Sequence, residues 1–240
     1  FNVLNKPILH INTQFNRDIP WDDIDMDFMN LNQSAHGDRE HGFICARMRM
    51  PIKVISGYWK SEELRKRMAG WMRAAIGAFE SKRLRVLRIS DNMRDVAVTE
   101  GDKVEAHIKL GWQVDHYGVG DIIKLVNEVT EEEIDAQMAE YEKYYDMATD
   151  QIDSVRYQAR EEVALKKFME KGNFGAFHTN FQDLQELRQL PGLAAQDLMR
   201  QGYGFAGEGD WKIAAMCRVM KLMSQGLEGG TAFMEDYTYH

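Results

Sequence analysis

Apolar and polar positions along the chain switch between two periods, and the switches divide it into strands and helices. Apolar runs at Lys6–Ile11, Ile52–Tyr58 and Arg85–Ile89 predict buried strands. The polar residues Asn12–Asn16 read as a loop, and Pro20–Met29 as a short helix or turn-rich segment. Asn32–Gly42, polar and interrupted by Gly37 and Gly42, predicts a loop leading into a helix over Phe43–Met48. The clearest helix starts at the N-cap Ser61, with Leu64, Met68, Trp71, Met72, Ala75, Ile76 and Phe79 at three- and four-residue intervals. Lys103–Leu110 reads as a strand and Asp121–Val126 as a short helix.

Further on, Thr130 and Glu133 form a capping box for a helix to about Met147. Ser154–Lys171 is a second long helix stopped by Gly172, Asn173–Asn180 is extended and Leu193–Arg200 helical. Trp211–Ser224 predicts a helix with Ile213, Met216, Cys217, Met220 and Met223 on one face and Gly226 as its stop. Thr231–Tyr239 reads as a last strand. Strands alternating with helices make this an α/β chain with mostly parallel sheets. The charged stretch Ser81–Leu84 is the candidate domain boundary.

Composition narrows the function classes. The chain's 240 residues allow one large domain or two modest ones, and 44% apolar with 28% charged residues is ordinary for a globular chain. A net charge of −8 without a basic tract argues against a general nucleic-acid or anionic-membrane binder. No apolar run approaches the ~20 residues that span a bilayer. Cys45 and Cys217 are too few for a disulfide framework or a Cys-based zinc site and read as reduced, buried thiols of a cytoplasmic protein. The opening Phe1-Asn2-Val3-Leu4 reads as the middle of a polypeptide, so both ends are expected to be cuts through a longer one.

Two carboxylates sit in unusual company. Glu208 lies in GYGFAGEGDWK and Glu235 in GGTAFMEDYTYH, framed by glycines and aromatics instead of the usual polar neighbours. Desolvated carboxylates are costly unless paired or bound to a cation, so the two segments suggest a metal or acid/base site. A favourable charge at a helix start accounts for Glu208 nearly as well. Gln33 and His36, three residues apart, can hydrogen-bond a polyol, though composition alone favours a pair that stabilises its own loop. The turn Asp91-Asn92-Met93-Arg94 follows an apolar strand, where α/β proteins place functional groups. His10, His107 and His116 lie on or near predicted strands; His41 and His178 lack a spaced partner that would make a metal pair. GYGFAG has neither a Walker lysine nor dinucleotide spacing.

The two carboxylate segments resemble those of the L-arabinose isomerase family. The likeness extends through HINTQFNRDIPWDDIDMDFMNLNQSAHGDREHGFICARMRM, DNMRDVAVTEGDKVEA and NFGAFHTNFQDLQELRQLPGLA, and covers nearly the whole chain. It implies part of a three-domain sugar isomerase with two Rossmann/flavodoxin-like layered domains. Residues 1–84 would end an N-terminal α/β domain, 85–229 form a central one, and 230–240 begin a C-terminal domain. The family holds one Mn²⁺ per subunit with two Glu and two His; Glu208 and Glu235 match the two Glu, and the His fall beyond residue 240. The same two Glu are the family's acid/base pair for moving a proton between C2 and C1 of the sugar. Gln33 and His36 match sugar contacts that reach a neighbouring subunit's site. Met93 and Phe181, which alone read as core residues, match positions lining the sugar pocket.

The resemblance therefore implies conversion of L-arabinose to L-ribulose, and of D-galactose to D-tagatose, by a cytoplasmic homo-oligomer, in its intact form a hexamer. With half the ligands missing, the 240 residues alone are expected to be catalytically silent. The alternatives are a related keto-isomerase of the L-fucose type and a non-catalytic sugar-binding α/β module. A pure binder has no need of the Glu208–Glu235 pair.

Overall fold

Parallel strands organise both halves of the chain in the computed structural model, which describes residues 3, 4 and 6–234. The chain divides into two units, Phe1–Ala75 and Ile76–His240.

In the first unit, strand β1 (Ile8–Asn12) pairs in parallel with β2 (Ile52–Ser56), Ile8 opposite Ile52 and Asn12 opposite Ser56. Helices α1 (Met26–Leu31) and α2 (Ser34–Arg47) connect them. Asp25 caps α1 by accepting the Phe28 N–H at 2.8 Å. The expected loop at Asn32–Gly42 is thus a correction: most of it belongs to α2, continuous with the segment predicted as a helix from Phe43. Gly37 and Gly42 read as breakers, but an interior helical glycine costs only about 1 kcal/mol against alanine, and the helix runs through both. Helix α3 (Glu62–Ser81) starts where predicted, with the Ser61 hydroxyl accepting the Leu64 N–H at 3.2 Å. Its stripe buries Leu64 but leaves Met72, Ile76 and Phe79 exposed.

The second unit is built on a four-stranded parallel sheet with order β4-β3-β5-β6. Its strands are β3 (Arg85–Ile89), β4 (Gln113–Tyr117), β5 (Ala176–His178) and β6 (Gly204–Ala206). In register, Arg88 stands between His116 and His178, and His178 stands beside Ala206. The period-two alternation of the strands supplies two cores. Leu87, Ile89 and Phe177 pack with α5 (Val119–Glu128), α6 (Glu131–Tyr144), α7 (Ile152–Gly172) and α8 (Gly192–Arg200). Leu84, Val86, Val114, Ala176 and Ala206 pack with Trp112 and with α9 (Trp211–Met223). Between α6, α7 and α8 lies a buried polar network. Glu162 accepts from Tyr141 Oη at 2.6 Å and Gln201 Nε2 at 2.8 Å, and Asp197 from Tyr145 Oη at 2.9 Å and Arg200 Nε at 2.7 Å.

Three expectations are overturned here. Lys103–Leu110 is helix α4, carrying His107, because Asp102 accepts the Val104 and Glu105 N–H groups at 2.9 and 3.0 Å and Gly111 closes the helix in the left-handed region. The strand in this stretch is β4, ten residues on. Helix α9 buries Trp211, Ala214, Ala215, Cys217 and Val219, whereas Ile213, Met216 and Met220 are exposed. Small residues let a helix approach a sheet closely, so the alanines face inward, and of the predicted stripe only Cys217 is buried while Met223 packs at the edge of the core. Residues 231–234 of the expected last strand are not in a strand, and residues 235–239 lie outside the described residues.

Candidate functional site

Open parallel sheets offer a crevice outside the carboxyl ends of their strands, where the strand order reverses. Here the reversal falls at β3: the chain crosses to β4 on one side, then returns to β5 and β6 on the other. Besides the single residue Gly118 after β4, three loops leave that edge: residues 90–96 after β3, 179–191 after β5 and 207–210 after β6. Met93, Phe181 and Glu208 lie one on each.

The loops are tied together by backbone. Met93 N–H donates to Glu208 O at 3.1 Å, and Gly209 N–H donates to Thr179 O at 2.9 Å. Gly209 has φ +86°, and a Cβ there would stand 2.5 Å from Asn92 Cα and 2.8 Å from Asp91 O. Glu208 itself has φ +56° and Ser90 φ +63°, and Gln185 (φ +50°) lies in the loop after β5. Three of the five non-glycine residues with positive φ among the described residues are therefore in these loops. Such backbone costs about 1–3 kcal/mol per residue and persists only where surrounding contacts impose it.

Side chains complete the tie. Asn180, buried, donates through Nδ2 to Asp91 O at 2.7 Å and Asp183 Oδ2 at 3.2 Å, and accepts the Gln182 N–H at 2.7 Å. Asp183 also accepts from Ser90 Oγ at 2.8 Å and Arg94 Nη1 at 3.3 Å. Arg88 Nη2 donates to the Asp91 carboxylate and to Asn92 Oδ1, the latter at 2.6 Å. The Asn92 N–H and the Arg88 charge hold the Asp91 carboxyl below its ordinary range. His178, wholly enclosed beside Arg88, has its pKa pushed down to about 3 by burial and then by the Arg88 charge, so it is neutral at physiological pH.

Glu208 is half-buried, and its carboxylate has no hydrogen-bond or ion-pair partner among the described residues. The side chain that caps α9 is that of Asp210, two residues on, which accepts the Lys212 and Ile213 N–H groups at 3.0 and 3.1 Å. Met93 is half-buried and Phe181 is 37% exposed, so neither is a core residue. Glu235 lies outside the described residues. A free carboxylate is the donor type that a hard divalent cation takes, but among the described residues no three His, Cys, Asp or Glu gather as a metal centre.

Gln33 and His36 belong to the first unit. Gln33 is the N-cap position of α2 and makes no side-chain cap; the His36 N–H donates to Gln33 O at 3.1 Å, and both residues are exposed. The neighbouring Ser34, Ala35 and Asp38 line a cleft of about 380 Å³ with Asn12, Thr13 and Tyr58 at the carboxyl ends of β1 and β2. In the same unit His10 bonds Asp38 at 2.8 Å and stacks on His41 at 4.7 Å.

Asn180 and Asp183 escape sequence reading. Their only signal is polarity after a strand, since the partners that join them to the loop after β3, Asp91 and Ser90, lie about ninety positions away. No helix among the described residues is long and apolar enough to cross a membrane.

Comparison with known proteins matches the whole of this arrangement to one family. Residues 1–83 match the model of the L-arabinose isomerase N-terminal domain, and residues 85–226 that of the L-arabinose isomerase central domain. L-arabinose isomerase 1 of Bacillus licheniformis is 57% identical over 239 residues, 99% of this chain and 48% of the relative. L-arabinose isomerase of Geobacillus stearothermophilus is 57% identical over 243 residues, covering 99% and 49%. That of Thermotoga neapolitana is 54% identical over 241 residues, covering 100% and 49%. The chain thus spans about half the length of the curated relatives it matches.

Proposed function

This chain belongs to the L-arabinose isomerase family, and from that premise we propose that the full-length protein carrying it converts L-arabinose to L-ribulose, and D-galactose to D-tagatose. The observation that supports this reading most is Glu208: a carboxylate without a partner among the described residues, on a strained turn clamped between the loops that carry Met93 and Phe181. A pure sugar-binding module gives no reason to hold such a carboxylate unpaired in imposed left-handed backbone. Nothing in the structure favours an L-fucose-type substrate.

Aldose–ketose isomerisation removes a proton from C2 and returns one to C1 through an enediol. Glu208 and Glu235 are the groups that carry it, one accepting the C2 proton while the other serves the sugar oxygens. Glu208 and Glu235 would also hold a divalent manganese ion, which when bound polarises the sugar's O1 and O2. Met93 and Phe181 provide apolar wall that keeps water from the reacting carbons. Gln33 and His36 contact the sugar of a neighbouring subunit in a cytoplasmic homo-oligomer, a hexamer. The domain limits go with this reading: 1–84, 85–229 and a C-terminal domain from 230.

Replacement tests the roles. Glu208→Gln or Glu235→Gln in the full-length protein removes the proton carrier while keeping the shape. Turnover of L-arabinose is expected to fall by about 10²–10⁴-fold, the usual contribution of a general acid or base, with the melting temperature preserved. If either variant keeps more than about a tenth of wild-type turnover, that residue does not carry the proton.

A further inference from the structure

We propose that Asn180 is a positioning residue for this reaction, the buried amide that sets the loops bearing Met93, Phe181 and Glu208 against one another. The proposal rests on the reading of Glu208 as the reacting carboxylate, and its structural half can be tested without that reading.

Both polar side-chain atoms of Asn180 are committed. Nδ2 bonds the Asp91 carbonyl and the Asp183 carboxylate, and Oδ1 takes the Gln182 N–H. These partners come from two loops that meet only because β3 and β5 are neighbours in the sheet. Each bond also lies next to a residue of the site. Asp91 is two positions from Met93, whose N–H holds Glu208 O, and Thr179, preceding Asn180, holds the Gly209 N–H through its carbonyl. Phe181 follows Asn180 directly. One amide therefore ties the first two loops directly, and each of these holds the third through a backbone bond.

An amide suits the chemistry at this position. The Asp91 carbonyl needs a donor and the Gln182 N–H needs an acceptor, and a short amide offers the two on separate atoms, Nδ2 and Oδ1, that reach both points at once. Aspartate, the same size, cannot donate to Asp91 O and sets a second carboxylate against Asp183. Ser90, held at φ +63° with its hydroxyl on Asp183, is the second strand of the same tie.

Asn180→Asp in the full-length protein tests the idea by two independent readouts. A displacement of about 1 Å at a reacting group costs about 10²-fold in rate, so kcat for L-arabinose is expected to fall by that order, with KM changing much less. Hydrogen exchange followed by mass spectrometry is expected to accelerate at least about tenfold in peptides covering 90–96 and 207–211. Peptides from α6 and α7 should be unchanged. Ser90→Ala removes one hydroxyl, is easily accommodated, and should give the same pattern at smaller amplitude. The proposal is overturned if kcat stays within about twofold of wild type. It is equally overturned if exchange rises uniformly through the second unit, the mark of plain destabilisation. If exchange rises locally while Glu208→Gln leaves turnover intact, the tie stands and the catalytic reading of Glu208 falls.

Discussion

Replacing Gly209 by alanine tests the close approach on which the candidate site depends. Two costs can be worked out separately. Gly209 has φ +86°, where an L-residue pays about 1–2 kcal/mol. The added Cβ would also stand 2.5, 2.8 and 3.1 Å from Asn92 Cα, Asp91 O and Asn92 N, all backbone atoms. That backbone cannot retreat cheaply, because Arg88 and Asn180 hold Asn92 and Asp91 in place. Forcing a methyl into a packed site costs about 1–3 kcal/mol, which brings the total to about 2–5 kcal/mol. Gly226 supplies the control: its φ is +73°, but nothing lies within 4 Å of its would-be Cβ, so Gly226→Ala pays only the backbone cost. Thermal unfolding of the chain can be followed by the fluorescence of Trp112 and Trp211, both buried in the second unit. At about 2–4 °C per kcal/mol for a chain of this size, Gly209→Ala should melt on the order of 10 °C below wild type and well below Gly226→Ala. Equal midpoints for the two variants would refute the close packing of the 207–210 turn on Asp91 and Asn92.

Signals local in sequence proved legible, and signals that depend on strand order did not. The capping box Thr130–Glu133 forms with both of its hydrogen bonds, and α6 begins where it says. Helix α7 ends within one residue of the expected place, although Gly172 is its last residue and Asn173, in the left-handed region, is the cap. The parallel α/β character followed from the alternation alone. The reading failed where periodicity carried two meanings. Val104, Ile108 and Leu110 look like a strand's buried residues, yet they lie exposed on α4, and the cap at Asp102 decides the matter. At the site, the long motifs point to Met93, Phe181 and Glu208, and the structure puts one of them on each of three loops joined by backbone hydrogen bonds. The network holding them was not visible, because Asn180 meets Asp91 only once β5 has been laid beside β3.

Two further expectations concern the buried polar side of the second unit. Tyr141→Phe deletes the hydroxyl that bonds Glu162 at 2.6 Å and leaves a buried carboxyl short of a donor. Stability in urea should fall by about 1–3 kcal/mol, and an unchanged midpoint would contradict the bond. The other expectation concerns Glu161, which is 2% exposed, accepts from Gln158 through Oε2 at 2.9 Å and has no partner for Oε1 among the described residues. Its surroundings include Ile89, Val119 and Leu165, with Asp183 the other acid beside it and Arg188 a favourable charge. Burial dominates and raises its pKa from 4.5 to about 8. A group whose pKa is raised on folding binds more protons in the native state than in the unfolded one. Its contribution to stability is therefore complete below about pH 4.5 and is lost as pH rises towards 8. The slope reaches at most about 1.4 kcal/mol per pH unit. Glutamine has no charge to desolvate, so Glu161→Gln should flatten the decline in stability between pH 5 and 8 and gain on wild type at the alkaline end. If the two proteins lose stability in parallel over that range, Glu161 is not the group that titrates there.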